Sequence, residues 1–206
     1  MDEWAAIDAE RSALADQLAG LTPEQWNAQS LCDAWQVRNV VAHLIEATEV
    51  KVGSFLGAMV RNGFNFNRVM ASSALARGAQ PTDQLLADFR AIVGNRGKPP
   101  MAKPIDVLFD TVVHGQDIRR PLGIAYAIPA ETTITLADRA KGLGFPFGTK
   151  KRIAGLHLEA TDAPWSTGSG PEVSGPIEAL VMVMAGRDTA LSDLAGDGLG
   201  TLTARG

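Results

Sequence analysis

The feature that most constrains the fold is a stripe of mostly apolar side chains between Gln36 and about Val60. Its positions recur at 3.6 residues per turn, the period of a helix that buries one face. The stripe consists of Val37, Val40, Val41, Leu44, Thr48, Val52, Phe55 and Met59. A helix of this kind is stable only when its apolar face packs against other elements, so the pattern predicts a helical bundle.

Other segments carry helical spacing or helix-end signals. They are residues 3–19, which stop before Gly20, and residues 82–93, 104–120 and 130–143. Thr22 before Pro23 predicts a short helical turn, and Asp33 is the expected cap of the long helix that follows. The first three quarters of the chain are therefore predicted to be helical.

The sequence pattern changes after residue 150. Apolar and polar residues alternate over 153–159, the turn sequences DAPW and STGSGPEVSG follow, and an apolar helix is predicted at 176–185. These signals predict three or four short strands with one main helix. We therefore expect an α+β protein with a helical domain at residues 1–149 and a small α/β domain at residues 150–206.

Composition excludes several classes of function. The net charge is −4 and the basic residues are scattered, which argues against a nucleic-acid-binding protein. The acidic N-terminus lacks the basic and apolar regions of a signal peptide, and no run of about 18 apolar residues predicts a membrane span. We expect a cytoplasmic protein. Cys32 is the only cysteine, so a metal site must use histidines and carboxylates.

Two of the three histidines occupy positions suited to a metal site. In FDTVVHGQDIRR, Asp110 and His114 lie four residues apart on a narrow polar stripe that apolar residues flank on both sides. His43 lies at the margin of the apolar stripe of the long helix. Antiparallel helices packed roughly 8 to 10 Å apart would bring His43 opposite the other two. Two imidazoles and one carboxylate with one open position form a catalytic zinc set.

Simpler interpretations of these polar residues remain open. Asp110 and His114 also fit a solvated ion pair within one helix. Asp117 either orients a metal ligand or pairs with Arg119 or Arg120.

Four other residues are predicted to have structural rather than chemical roles. His157 shares a strand face with Glu159 and is predicted to be a surface histidine. Cys32 has no basic neighbour that would activate its thiol, so it is predicted to be a small buried residue. Trp26 and Trp35 are expected to cover one end of the bundle, with ligand binding as the lesser alternative.

Three stretches together resemble the mycothiol-dependent maleylpyruvate isomerase family. They are LTPEQWNAQSLCDAWQVRNVVAHLIE, FDTVVHGQDIRRPLG, and residues 155–202 with their Thr-Asp, Trp, Gly-x-Gly and Gly-Arg landmarks. The resemblance spans nearly the whole chain. It implies a DinB-like four-helix bundle that carries a divalent metal, usually zinc, followed by a small α/β domain related to sterol-carrier folds.

The resemblance also implies roles for single residues. His43 and His114 match the family's two histidine ligands, and Asp110 stands where the family commonly has a glutamate. The shorter aspartate sets its carboxylate back by about one methylene, which bears on metal affinity and metal choice. Arg187, in MAGRDTA, matches an arginine associated with activity in the isomerase.

From these residues we expect an enzyme that activates a thiol, mycothiol, on a divalent metal. It would isomerise a maleylpyruvate-like unsaturated diacid or conjugate a small electrophile. Arg187 is the first candidate to bind the substrate carboxylates, with Arg68 or Arg119 as alternatives, although Arg119 and Arg120 read as ordinary charges at a helix end.

A non-catalytic protein that binds a small ligand and a metal-dependent hydrolase are the competing hypotheses. The sequence leaves monomer and homodimer open.

Overall fold

The computed structural model describes residues 1–50, 63, 66–144 and 147–205. Its contacts divide the chain into two compact units, Asp2–Tyr126 and Ala127–Gly206, the second of which includes Met1. The helix that begins at Ala130 falls in the second unit, whereas the sequence predicted a domain boundary at residue 149. The prediction that two independently folding domains meet at residue 149 stays a prediction.

The first unit is a bundle of helices. Its helices are α1 (Glu3–Ala19), α2 (Pro23–Trp26), α3 (Val37–Glu49), α4 (Phe66–Gly78), α5 (Thr82–Ala91) and α6 (Pro104–Leu122). Four of them close a ring of contacts in which α1 packs on α6, α6 on α3, α3 on α5, and α5 on α1. Helix α4 packs against α3. The predicted four-helix bundle is therefore present.

Local sequence signals explain where these helices begin and end. The Asp2 carboxylate accepts hydrogen bonds from the backbone N–H groups of Trp4 and Ala5, and Gly20 follows the last residue of α1. Helix α2 begins with the predicted Thr22 cap and Pro23. Helix α6 begins at a proline and ends before Gly123, whose φ of 66° is a conformation that glycine adopts at low cost.

Two predictions about the long helix were wrong. Gln36 caps α3 in place of Asp33, and a reciprocal pair of hydrogen bonds with Asn39 stabilises this end. The helix ends at Glu49 because Val50 has a ψ of 116°, which is outside the helical region. The predicted continuation over residues 51–60, with Val52, Phe55 and Met59, lies outside the described residues.

The core of the bundle consists of the apolar faces of these helices. Its fully buried members include Val37, Val40, Val41 and Ile45 of α3, Leu14 and Leu18 of α1, Leu85 and Phe89 of α5, and Ile118 of α6. The part of the apolar stripe that lies in α3 is thus the part buried in the centre of the bundle. Helices α3 and α6 meet across this core, which places the predicted metal-site residues on adjoining helices.

The second unit combines helices with a small sheet. Its elements are α7 (Ala130–Ala140), α8 (Thr149–Arg152), β1 (His157–Ala160), β2 (Ser166–Gly168), β3 (Glu172–Gly175), α9 (Ile177–Met184), a 3₁₀ helix (Asp188–Asp193) and α10 (Leu199–Thr203). Helix α7 is three residues shorter than the predicted 130–143 because Lys141 leads into a turn.

Strand β1 lies at the centre of the described sheet. It pairs with β2 in antiparallel orientation, with Leu158 opposite Thr167, and with β3 in parallel orientation, with Leu158 opposite Val173. Leu158 and Val173 are buried, and the apolar helix α9 packs against β1, β3 and α7. The Asp162 carboxylate accepts a 2.8 Å hydrogen bond from the N–H of Ile177 and so caps α9.

The lengths and polarity of the helices bear on membrane insertion. Among the described residues, no helix combines the length and the apolar character that crossing a bilayer requires.

Candidate metal centre

The structure brings the three residues predicted as metal ligands together where α3 packs on α6. His43 lies on α3, and Asp110 and His114 lie on successive turns of α6. The Nε2 atom of His43 is 3.6 Å from Oδ1 of Asp110, and the Nε2 atom of His114 is 3.5 Å from the same oxygen. One ligand atom from each residue lies within 4.8 Å of the other two.

These separations fit a tetrahedral ion better than they fit hydrogen bonds. Hydrogen bonds between nitrogen and oxygen are about 2.7 to 3.2 Å long, shorter than both distances to Asp110 Oδ1. Zinc bonds of about 2.0 to 2.2 Å, arranged tetrahedrally, place neighbouring donor atoms roughly 3.3 to 3.6 Å apart. Asp110 therefore places its Oδ1 atom at distances from both Nε2 atoms that suit a shared metal ion. The donor set of two imidazoles and one carboxylate fits the divalent ion that the resemblance implies.

The aromatic ring of Trp35 covers this group of ligands. Its ring centroid lies 4.9 Å from that of His43 and 5.9 Å from that of His114, while the two imidazoles meet edge to face at 4.8 Å. His114 is almost fully buried, whereas Asp110 retains about a third of its side-chain exposure. Trp35 also packs against the bundle core, and a role in ligand binding, the lesser alternative for this residue, stays a prediction.

A buried cation that was not predicted from the sequence lies close enough to influence Asp110. Arg11 of α1 is buried and donates hydrogen bonds to the carbonyl oxygens of Ile92 and Asn95. Burial lowers the pKa of Arg11, and the negative charge of Asp110 opposes that shift. The burial of Arg11 could have been predicted from its position in the sequence, because Arg11 lies on the same stripe of α1 as the apolar residues Ile7 and Leu14.

The other ring nitrogen of His114 faces a second polar group. Its Nδ1 lies 2.8 Å from Oδ2 of Asp117, a residue with no exposed surface. The Cys32 thiol donates a hydrogen bond of 3.1 Å to the same oxygen. Of the two interpretations left open for Asp117, orientation of a histidine therefore has direct geometric support.

Arg119 lies in the last turn of α6, as predicted, but it is not an ordinary surface charge. Only 1% of this side chain is exposed, because it turns inward against α1. Its guanidinium lies 3.5 Å from a carboxylate oxygen of Glu10 and 3.7 Å from the ring centroid of Tyr126. Its Nε donates a hydrogen bond of 2.7 Å to Gln17. Among the described residues, Arg119 is thus part of an internal cluster of buried side chains, and a role in substrate binding stays a prediction.

Four further residues were singled out in the sequence. Arg187 is half-buried in the second unit, where its Nη1 donates a hydrogen bond of 2.8 Å to the carbonyl of Ala185, and its role stays a prediction. The side chain of Arg68 lies outside the described residues. His157 lies 3.4 Å from Glu159 on β1, in keeping with a surface histidine. Trp26 is buried in the bundle core, as expected.

Comparison with known proteins supplies the family. Residues 7–98 match the model of the mycothiol maleylpyruvate isomerase N-terminal domain. This part of the chain is therefore similar to the N-terminal domain of that family. The match includes Trp35 and all of α3 with His43. The resemblance predicted from the sequence is therefore confirmed.

Two crystal structures of a mycothiol-dependent maleylpyruvate isomerase share the fold of the whole chain. One is the unmodified enzyme, at 14% identity, and the other is a histidine-to-alanine mutant, at 12% identity. In both cases the alignment covers 95% of this chain and 92% of the other, with a TM-score of 0.65. The α+β fold class with a helical bundle is thereby confirmed. Among functionally curated proteins, none matches the sequence significantly.

Proposed function

We propose that the protein is a mycothiol-dependent enzyme whose His43, Asp110 and His114 hold a divalent metal ion, with zinc as the first candidate. It would act in the cytoplasm on a maleylpyruvate-like unsaturated diacid, or on another small electrophile. One observation carries the proposal: both imidazole Nε2 atoms lie at metal-site distances from one oxygen of Asp110. The family of the N-terminal domain supports the choice of thiol.

The charge of this donor set suits the binding of a thiol. Two neutral imidazoles and one carboxylate offset only one of the two positive charges of a divalent ion, and they leave one tetrahedral position open. When bound, such an ion favours the thiolate form of a coordinating thiol at neutral pH. Trp35 lies against both imidazoles and would restrict the access of water on that side.

The proposed isomerisation consumes no thiol. The thiolate sulfur adds to one carbon of the cis double bond, the resulting single bond rotates, and expulsion of the same thiolate restores the double bond in trans. With an electrophile that cannot eliminate the thiol, the carbon–sulfur bond would persist and the outcome would be S-transfer. Arg187 is the residue that we propose to bind a substrate carboxylate.

The direct experiment measures turnover of maleylpyruvate by the zinc-supplemented protein with and without mycothiol. We expect activity only with the thiol. His43→Ala and His114→Ala should each lose more than the roughly 10- to 100-fold that removal of an outer-sphere partner costs. His157→Ala is the matched control, because it removes an imidazole near a carboxylate in the second unit.

The competing hypotheses give different results in the same assay. Turnover of an ester or amide that persists after all thiols are removed would indicate a hydrolase, with water in place of the thiol. A protein that retains a small ligand in native mass spectrometry, without metal and without turnover, would be a binding protein. Full activity in His114→Ala would contradict the proposed metal centre.

A further inference from the structure

The side of His114 that faces away from Asp110 is held by a buried carboxylate. Its Nδ1 lies 2.8 Å from Oδ2 of Asp117, and Asp117 has no exposed surface. When Asp117 is ionised, its carboxylate only accepts hydrogen bonds, and Nδ1 is then the donor in this contact. A neutral imidazole then has its lone pair on Nε2, the nitrogen that faces Asp110. Asp117 thereby selects the tautomer that a metal ligand requires.

The same carboxylate oxygen has a second donor. The Sγ atom of Cys32 lies 3.1 Å from Asp117 Oδ2 and 3.8 Å from Nδ1 of His114. The thiol therefore donates to the oxygen that also accepts from the imidazole. This contact accounts for the position of the chain's single cysteine, which the sequence analysis interpreted only as a small buried residue.

Backbone contacts fix the loop that carries Cys32. The N–H of Leu31 donates a 3.0 Å hydrogen bond to the backbone carbonyl of Asp117, which joins the loop to α6. The N–H of Cys32 donates to the Ser30 hydroxyl, and that hydroxyl donates to the carbonyl of Trp35. The loop thus holds Cys32 and Trp35 in place together. Cys32 donates a hydrogen bond to Asp117, and the ring of Trp35 packs on the imidazole of His114.

We propose that Asp117 and Cys32 form a positioning relay that prepares His114 for metal binding before any metal arrives. In this relay Asp117 sets the tautomer and the ring orientation, and Cys32 holds the Asp117 carboxylate. Neither residue belongs to the ligand set proposed above, so the role proposed for each is a positioning role. The proposal rests on the metal centre proposed above, but it makes a claim about the metal-free protein that is tested separately.

The test compares Asp117→Asn, Cys32→Ala and Cys32→Ser with the wild type. An asparagine at position 117 can donate its amide N–H to Nδ1, which favours the opposite tautomer. Metal affinity, measured by competition with a chromophoric zinc chelator, should fall about 10- to 100-fold in Asp117→Asn. Cys32→Ala should lose a smaller factor, and Cys32→Ser, which keeps a donor, should recover most of that loss. Asp33→Asn, an exposed change in the same loop, is the control.

A spectroscopic readout separates positioning from general damage to the fold. Long-range proton–nitrogen correlation spectra of the metal-free protein identify which ring nitrogen of His114 is protonated. We expect protonated Nδ1 in the wild type, in Asp33→Asn and in Cys32→Ser, and a shift toward protonated Nε2 in Asp117→Asn. If Asp117→Asn fails to fold, the comparison of Cys32→Ala with Cys32→Ser carries the affinity test.

The outcomes distinguish this relay from the proposed function. Protonated Nε2 in the wild type, or unchanged zinc affinity and an unchanged tautomer in Asp117→Asn, would overturn the relay while leaving the metal centre intact. A wild type with protonated Nδ1 that binds no zinc would leave the tautomer of His114 as described, but it would overturn the proposed metal centre and with it the role of the relay in metal binding. Equal loss of affinity in Cys32→Ala and Cys32→Ser would remove Cys32 from the relay.

Discussion

Helix α6 carries two clusters of charged side chains that are built in opposite ways. In the candidate metal centre, Asp110 and the two imidazoles stand 3.5 to 3.6 Å apart, and the carboxylate is partly exposed. In the second cluster, buried Arg119 contacts Glu10 and Tyr126 of the bundle directly. His114 and Arg119 are five residues apart, which separates them by about 140° around the helix.

The Arg119 cluster neutralises itself, but burial is unfavourable for its charges. Burial raises the pKa of Glu10, although its hydrogen bond from Tyr126 and the nearby Arg119 oppose the shift. Burial likewise lowers the pKa of Arg119 and raises that of Tyr126 to about 12. Within the described part of the chain, Oε2 of Glu10 and both terminal nitrogens of Arg119 make no hydrogen bond. Packing of the helices therefore holds this pair in place.

The difference shows how a ligand site is distinguished from an internal ion pair. Glu10 and Arg119 have opposite charges that neutralise one another, so an added ion would gain little there. The two Nε2 atoms and the Asp110 oxygen are all electron-pair donors in the metal-ready state, and they converge at distances too long for mutual hydrogen bonds. Only the group of His43, Asp110 and His114 would be stabilised by an added cation.

The largest expected effect is the loss of one partner of the closed cluster. Arg119→Met leaves Glu10 buried without its counter-charge, and we expect the free energy of unfolding to fall by about 3 to 5 kcal/mol. Denaturant unfolding measures this loss.

The double variant Glu10→Met with Arg119→Met is the control for this prediction. It removes both charges and should recover most of the stability, because apolar replacement of a buried ion pair is often neutral or favourable. A loss below about 1 kcal/mol in Arg119→Met would mean that the pair is not buried as described.

A smaller effect is expected at Gly115, between the two clusters. A Cβ atom there would lie 2.9 Å from Nη1 of Arg119, which is too close. We expect Gly115→Ala to lose about 1 kcal/mol, since overpacking costs about 1 to 3 kcal/mol and the better helix propensity of alanine offsets about 1 kcal/mol. Metal binding at the neighbouring His114 should be unchanged. A gain in stability would show that Arg119 moves aside freely.

The smallest effect is expected at the exposed ion pair of α1. Asp8 accepts two 2.8 Å hydrogen bonds from Arg96, and chiefly for this reason its pKa is lowered. A carboxyl group with a lowered pKa stabilises the fold above its unfolded value of about 3.9, and this stabilisation disappears as the pH falls through the folded value. Asp8→Asn should therefore cost about 0.2 to 1 kcal/mol at neutral pH.

Unfolding curves of Asp8→Asn and the wild type should converge in acid. Glu10, two residues away on the same helix, should behave in the opposite sense, because its pKa is raised. Its contribution is fully present below its ordinary value of about 4.5 and diminishes as the pH rises. A difference between Asp8→Asn and the wild type that does not change with pH would exclude the Asp8 carboxylate as its cause.

The fold was predictable where helical period and end signals coincide. Residues 3–19 were predicted as a helix and form α1, and Pro104 begins α6 as expected. The end of α3 was not predictable from period, because the apolar stripe continues past Glu49 while the backbone turns at Val50. A hydrophobic pattern indicates which side chains face a core. It does not indicate where a single backbone dihedral angle leaves the helical region and ends the helix.

The site was predictable only in part, for a related reason. Spacing within α6 places Asp110 and His114 on one face, and the position of His43 at the stripe margin suggested that it would lie opposite them. The burial of Arg119 depends on Glu10 from another helix, and Cys32 reaches Asp117 from an irregular loop. Contacts between distant segments leave no periodic signal, so these features became visible only in the folded chain.

The measurement that tests the central claim most directly is the metal content of the purified protein after incubation with zinc. Elemental mass spectrometry would compare the wild type with His43→Ala, His114→Ala and Arg119→Met. We predict one divalent ion per chain in the wild type and in folded Arg119→Met, and loss of the ion in both histidine variants. A wild type without metal, or one equivalent retained in both histidine variants, would contradict a metal centre at His43, Asp110 and His114.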